Sequence, residues 1–113
     1  MSDTKTKTSP LDDPRVTKND DGSYTVQLLY PVQIIQGDAP MTSVTLSRVR
    51  GRGMVAMLDT DGTGSRLERL MLASAQLVGP VAEAFMDNVE GPDFLFLTEV
   101  AATFLGNGQT TGQ

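Results

Sequence analysis

The chain has 113 residues, no cysteine and no histidine, and its nine basic against fourteen acidic side chains give a net charge of −5. That length holds one modest core rather than two. Without thiols or imidazoles there can be no disulfide, no thiolate or imidazole metal cage and no histidine-based triad, so an active site would have to use carboxylates, Lys, Ser, Thr or Tyr. The acidic balance argues against nucleic-acid binding driven by phosphate neutralisation.

The opening MSDTKTKTSPLDDP has no apolar core, and no stretch approaches the roughly 18 apolar residues of a membrane span. A cytoplasmic protein without signal peptide or membrane partner is the expectation. Residues 1–22 are mostly Thr, Lys, Asp and Pro and read as a disordered tail up to the turn signal Asp21-Gly22. From Tyr24 the pattern alternates, placing Tyr24, Val26, Leu28, Tyr30, Val32 and Ile34 on one face of a strand. Pro31 removes a ladder donor, which predicts an edge strand, or one interrupted there by a bulge or bend. After the connection Gln36 to Pro40, residues 42–49 alternate again with Val44 and Leu46 inward, completing a β-hairpin.

A lone hairpin is marginal in water, so its apolar face needs covering, and the rest of the chain supplies helices. A short one over Gly51–Leu58 is expected, its start weakened by Gly51 and Gly53. Ser65-Arg66-Leu67-Glu68 matches a capping box, followed by Leu67, Leu70, Met71, Ser74, Leu77 and Val78 at helical spacing and by Gly79-Pro80 as stop and restart. The next stripe is Val81, Ala84, Phe85 and Val89. A last helix starts near Asp93 as N-cap, carries Phe94, Leu97, Val100, Ala101 and Phe104, and stops at Gly106. The expected fold is α+β: an N-terminal β-hairpin followed by three or four short antiparallel-packed helices in a single domain over residues 23–105, with a flexible tail over 106–113.

Asp59-Thr60-Asp61-Gly62-Thr63-Gly64-Ser65 resembles a calcium loop, but loop positions nine and twelve counted from Asp59 are Leu67 and Leu70, where oxygen ligands are needed. No metal and no cofactor are therefore expected. Arg50-Gly51-Arg52-Gly53 fits neither a Walker loop nor a dinucleotide loop. Arg48, Arg50 and Arg52 read as a solvated or carboxylate-pairing face, with docking to an acidic protein strip as the functional alternative. Glu83, Asp87, Glu90, Asp93 and Glu99 have no basic residue among them and read as a solvated face, except that Asp93 is placed to cap the last helix, a role worth about 1 kcal/mol. Phe94-Leu95-Phe96-Leu97 puts apolar groups right around that helix, so either Phe94 or Phe96 is the candidate protein contact.

The succession Leu28-x-x-Pro31-Val32, Gly37, Val44-Thr45-Leu46-Ser47-Arg48, Leu72-Ala73-Ser74-Ala75-Gln76-Leu77-Val78-Gly79, Ala84-Phe85 and Asp93-Phe94-x-x-Leu97 resembles the small tail-assembly chaperones of long-tailed, Mu-like and P2-like bacteriophages, over about residues 26–105. The pattern departs from theirs at Arg50-Gly51-Arg52-Gly53 and in the loop Asp59 to Gly64. The resemblance implies that Pro31, Arg48, Gly79 and Asp93 are fold residues. It also implies a factor of the host cytoplasm, absent from the finished virion, that keeps the tape-measure protein soluble and helps recruit tail tube protein.

A protein-binding assembly factor is thus the first reading. A structural subunit of the tail or connector is the second. A transcriptional regulator is the third, and it lacks a basic recognition helix, because the last two helices carry no Arg or Lys. A homo-oligomer is a further expectation, formed through an edge strand at Tyr24 to Leu29 or through exposed apolar groups.

Overall fold

The computed structural model describes residues 9–112, with side chains up to Leu105. A 3-10 turn at Pro10–Asp12 leads into β1 (Val16–Lys18), β2 (Tyr24–Val32) and β3 (Met41–Leu46). These are followed by α1 (Gly51–Leu58), α2 (Thr63–Ala75), α3 (Gly79–Asn88) and α4 (Gly91–Gly112). The fold is α+β, with a three-stranded antiparallel sheet in the order β1-β2-β3 preceding four helices.

The stretch read as a tail therefore contributes structure from residue 10 onward. Val16 pairs with Val26 and Lys18 with Tyr24, so β2 is the central strand and not an edge. Three backbone-paired residues on one flank were enough to convert the hairpin into a sheet. Composition could not signal so short a strand, because its own side chains are only partly covered or exposed.

The hairpin register is Tyr24↔Leu46, Val26↔Val44 and Gln27↔Ser43. It then shifts before Val32↔Met41. That irregularity places the bulge at Leu28 to Pro31, as the missing proline donor required of an interrupted strand. Its consequence is that the simple alternation ends there. Val26 and Val32 are fully buried, whereas Tyr30, expected on the same face, is exposed.

The inward strand residues Val26, Val32, Val44 and Leu46 meet Leu70 and Met71 of α2, Phe85 of α3, and Leu97, Val100 and Ala101 of α4 in one core. Burying Phe85 completely contributes on the order of 3 kcal/mol. Around this core the helix faces follow the expected stripes with small rotations. On α3 the buried pair is Ala82 and Phe85 while Val81 is exposed, and on α2 Leu70, Met71 and Ser74 are inside.

Helix ends differ more than helix interiors. The helix α2 starts two residues ahead of Ser65, with Gly62 as N-cap and no side-chain cap bond, so the capping box is not formed. It stops before Gly79, at Gln76, which adopts a left-handed φ of 60° while Leu77 N–H donates to Leu72 C=O at 3.0 Å. This is the terminating hydrogen bond that satisfies an orphan carbonyl. The last helix begins at Gly91, with Phe94 N–H donating to Glu90 C=O at 2.9 Å, and its backbone continues past Gly106 to Gly112. Neither Asp93 as N-cap nor Gly106 as stop is realised.

Candidate functional site

The most constrained polar group is Asp93, 1% exposed. It lies in the first turn of α4, yet its carboxylate turns toward the sheet. Leu29 N–H donates to Oδ1 and Tyr30 N–H to Oδ2, each at 2.9 Å. Those two amides lie in the bulge, just past the point where Gln27 N–H makes its bond to Arg15 C=O and β1 ceases to pair. The side chain of Asp93 thus substitutes for a strand partner that the sheet lacks. Arg15 Nη1 adds a charged contact to Oδ1 at 3.3 Å, and its guanidinium carbon lies 4.1 Å from the centre of the Phe96 ring. Two amides and a cation thus converge on one buried carboxylate. It is a structural lock.

The lock settles the disposition of the aromatic run. Phe94 and Phe96 are half-buried against the core, and Phe96 is covered by Arg15. Leu95 is the outward member, 56% exposed, because helical rotation sets it opposite the buried positions Asp93 and Leu97. Sequence reasoning passed over Leu95, since the alternation of aromatic rings drew attention to its neighbours. The signal available was that Leu97, Val100, Ala101 and Phe104 define a face that excludes position 95.

Arg48, Arg50 and Arg52 are all exposed. Among the described residues the ion pairs are those of Arg15, to Asp13 and Asp93, so the three arginines are not carboxylate-paired. Arg48 and Arg50 line a polar cleft of about 340 Å³ together with Asp21 and Gln76. Arg50 is the N-cap of α1 and Arg52 follows in its first turn, which carries no acidic residue. Cations there oppose the helix macrodipole at a cost of about 0.3–1 kcal/mol each. Stability does not account for their placement. The structure does not bring these arginines into the Asp93 and Phe96 cluster.

Among the described residues no group of three or more carboxylates converges to hold a metal ion, and Asp59 and Asp61 both lie in the short connection between α1 and α2. No helix among them is long and apolar enough to cross a membrane. Asp21 accepts the Ser23 hydroxyl at 2.6 Å and the Ser23 amide at 3.0 Å, which hold its pKa below the ordinary 3.8. That arrangement stabilises the turn between β1 and β2. Large apolar side chains, by contrast, are left outside the core at Val55, Leu58, Val78, Val81 and Leu95. Compared with protein-family models, curated proteins and solved structures, the chain matches none of them.

Proposed function

We propose that this protein is a non-enzymatic, protein-binding assembly factor, a tail-assembly chaperone of a long-tailed bacteriophage that keeps the tape-measure protein soluble and helps bring tail tube subunits to it. The observation that carries the reading is the surplus of exposed apolar side chains on the helices and at their ends, Leu95 of α4 and Val78 at the α3 N-cap foremost, outside the core cluster. Scattered exposed residues need no explanation, but helical faces that keep Leu and Val outward supply contact area for another protein. Arg48, Arg50 and Arg52, without an ion pair among the described residues and with Arg50 and Arg52 set against the α1 dipole, provide the cationic side of such a contact and would steer an acidic client segment toward it. Leu95, with the flank of Phe94, takes the place in the contact that Phe94 or Phe96 was expected to hold. The protein acts in the host cytoplasm.

Co-expression tests the reading. The tape-measure protein of the same phage, produced with and without this chain, should be soluble and co-purify only when the chain is present. Equal solubility in both cases, with no co-purification, would end the chaperone assignment. Detection of the chain in many copies in purified virions would instead make it a structural subunit of the tail or connector.

A further inference from the structure

Two clefts between the helices share a floor, since Arg69 and Leu72 of α2 and Gly79 and Ala82 at the start of α3 line both. The apolar end, about 260 Å³, is open because Gly53, Ala56 and Ala73 present little side chain, and a Cβ built on Gly79 would meet nothing within 4 Å. Val78, 77% exposed, forms its lip. The other end, about 380 Å³, has a mixed lining that carries Glu68 and Glu83. Neither glutamate has an ion-pair partner within 4 Å among the described residues, and Arg69 is the one cation lining the groove.

These walls restrict the occupant. They belong to helices and their connections, with no strand edge among them, so an extended peptide would gain no ladder bonds, whereas a helix brings its own backbone bonds already made. Apolar side chains fit one end and a cation the other. Residues 106–113, GNGQTTGQ, contain no large apolar residue and residues 1–8 contain only Met1, so neither segment has the stripe this requires. A second copy is also disfavoured: its α3 and α4 carry acidic groups and no basic one and would bring like charge to Glu68 and Glu83, and its α1, which has Arg50 and Arg52 at its start, is an eight-residue helix already packed on α2 as a wall of the same groove.

We infer that the groove between α1, α2 and α3 docks an amphipathic helix of a different protein, one whose apolar stripe is flanked by Lys or Arg. The inference rests on the protein-binding reading and names a second class of segment, distinct from the acidic one that Arg48, Arg50 and Arg52 would steer.

Fluorescence anisotropy with the full chain and three labelled synthetic peptides of about 15 residues, four helical turns, tests it. The first has Leu at helical stripe positions with Lys flanks, the second the same stripe with Glu flanks, and the third Lys flanks with Ser for Leu. The first alone should bind. Val78→Ser leaves a favoured N-cap residue on α3 and should weaken binding about fivefold or more. Glu68→Lys/Glu83→Lys, with folding checked by circular dichroism, should reject the Lys-flanked peptide and accept the Glu-flanked one. Should that double variant not fold, Glu83→Lys alone at the exposed position should shift preference in the same direction. No binding by the first peptide, equal binding by either control, or indifference to Val78→Ser and Glu83→Lys would each overturn the groove. If the tape-measure protein is nevertheless held soluble by the Val78→Ser and Glu83→Lys variants, the assembly-factor reading stands and the groove does not.

Discussion

Asp93 shows how burial changes the weight of one residue. As a solvent-facing helix cap it would contribute about 1 kcal/mol. Holding two bulge amides and Arg15 from a buried position, it contributes more, since removing one partner of a buried charged network costs about 3–5 kcal/mol. Asp93→Ala should therefore lower unfolding free energy in urea by that larger amount, and a loss near 1 kcal/mol would mean that the bulge amides find water instead. Arg15→Lys should recover only part of an Arg15→Ala loss, because an ammonium cannot both reach the carboxylate and lie flat on Phe96. At Asp21 the expectation is a titration. Its folded pKa is depressed by Ser23, so its contribution to stability is present above the ordinary carboxylate value and disappears as pH falls through the lower folded value. Ser23→Ala should move the Asp21 midpoint, followed by NMR, up toward 3.8.

Among the elements, α1 carries the clearest conflict between local preference and tertiary demand. Its two glycines look equally unfavourable in sequence, but a Cβ on Gly51 would meet nothing, whereas one on Gly53 would lie 2.9 Å from Val49 Cγ1 and 3.3 Å from Ala73 Cβ. Gly53 is the residue that lets α1 approach α2. Gly51→Ala should stabilise by about 0.5–1 kcal/mol, and Gly53→Ala should forfeit that gain or reverse it. Thermal unfolding of the two variants distinguishes them, and equal gains would show that the α1 contact is loose. Arg52 offers the complementary test. Arg52→Glu replaces a cation in the first turn by an anion and should raise stability by about 0.5 kcal/mol while weakening capture of an acidic client.

For the whole molecule, the sheet is completed from outside the stretch that looked structured. Removing residues 1–18 deletes β1, the Gln27 acceptor and Arg15 together, and should destabilise at least as much as Asp93→Ala. A domain beginning at residue 23 would instead leave the denaturation midpoint unchanged. Self-association through the Tyr24 to Leu29 strand requires that same displacement, because β1 occupies its first half and Asp93 its bulge amides. Light scattering of the intact chain should therefore show no dimer built on that edge.

The period-two pattern of Tyr24 to Val32 and Val44 to Leu46, and the helical spacing of Leu70, Phe85, Leu97 and Val100, were enough to establish an α+β chain and most of its core. Those signals are local, set by which side chains share a face. The same sequence lacked the cysteines, histidines and ligand spacings that metal or triad chemistry would need. What it left undecided was non-local. Asp93 was legible as important but not as the partner of Leu29 and Tyr30, 64 and 63 residues away. Ser74 stood in an apolar stripe with no sign that its Oγ would donate to Ser47 C=O at 2.7 Å across from β3. Leu95 as the outward residue, β1 as a strand and the groove over Gly79 likewise exist only once the helices are packed. In each case the deciding interaction is a backbone amide or a neighbouring helix that local periodicity does not contain.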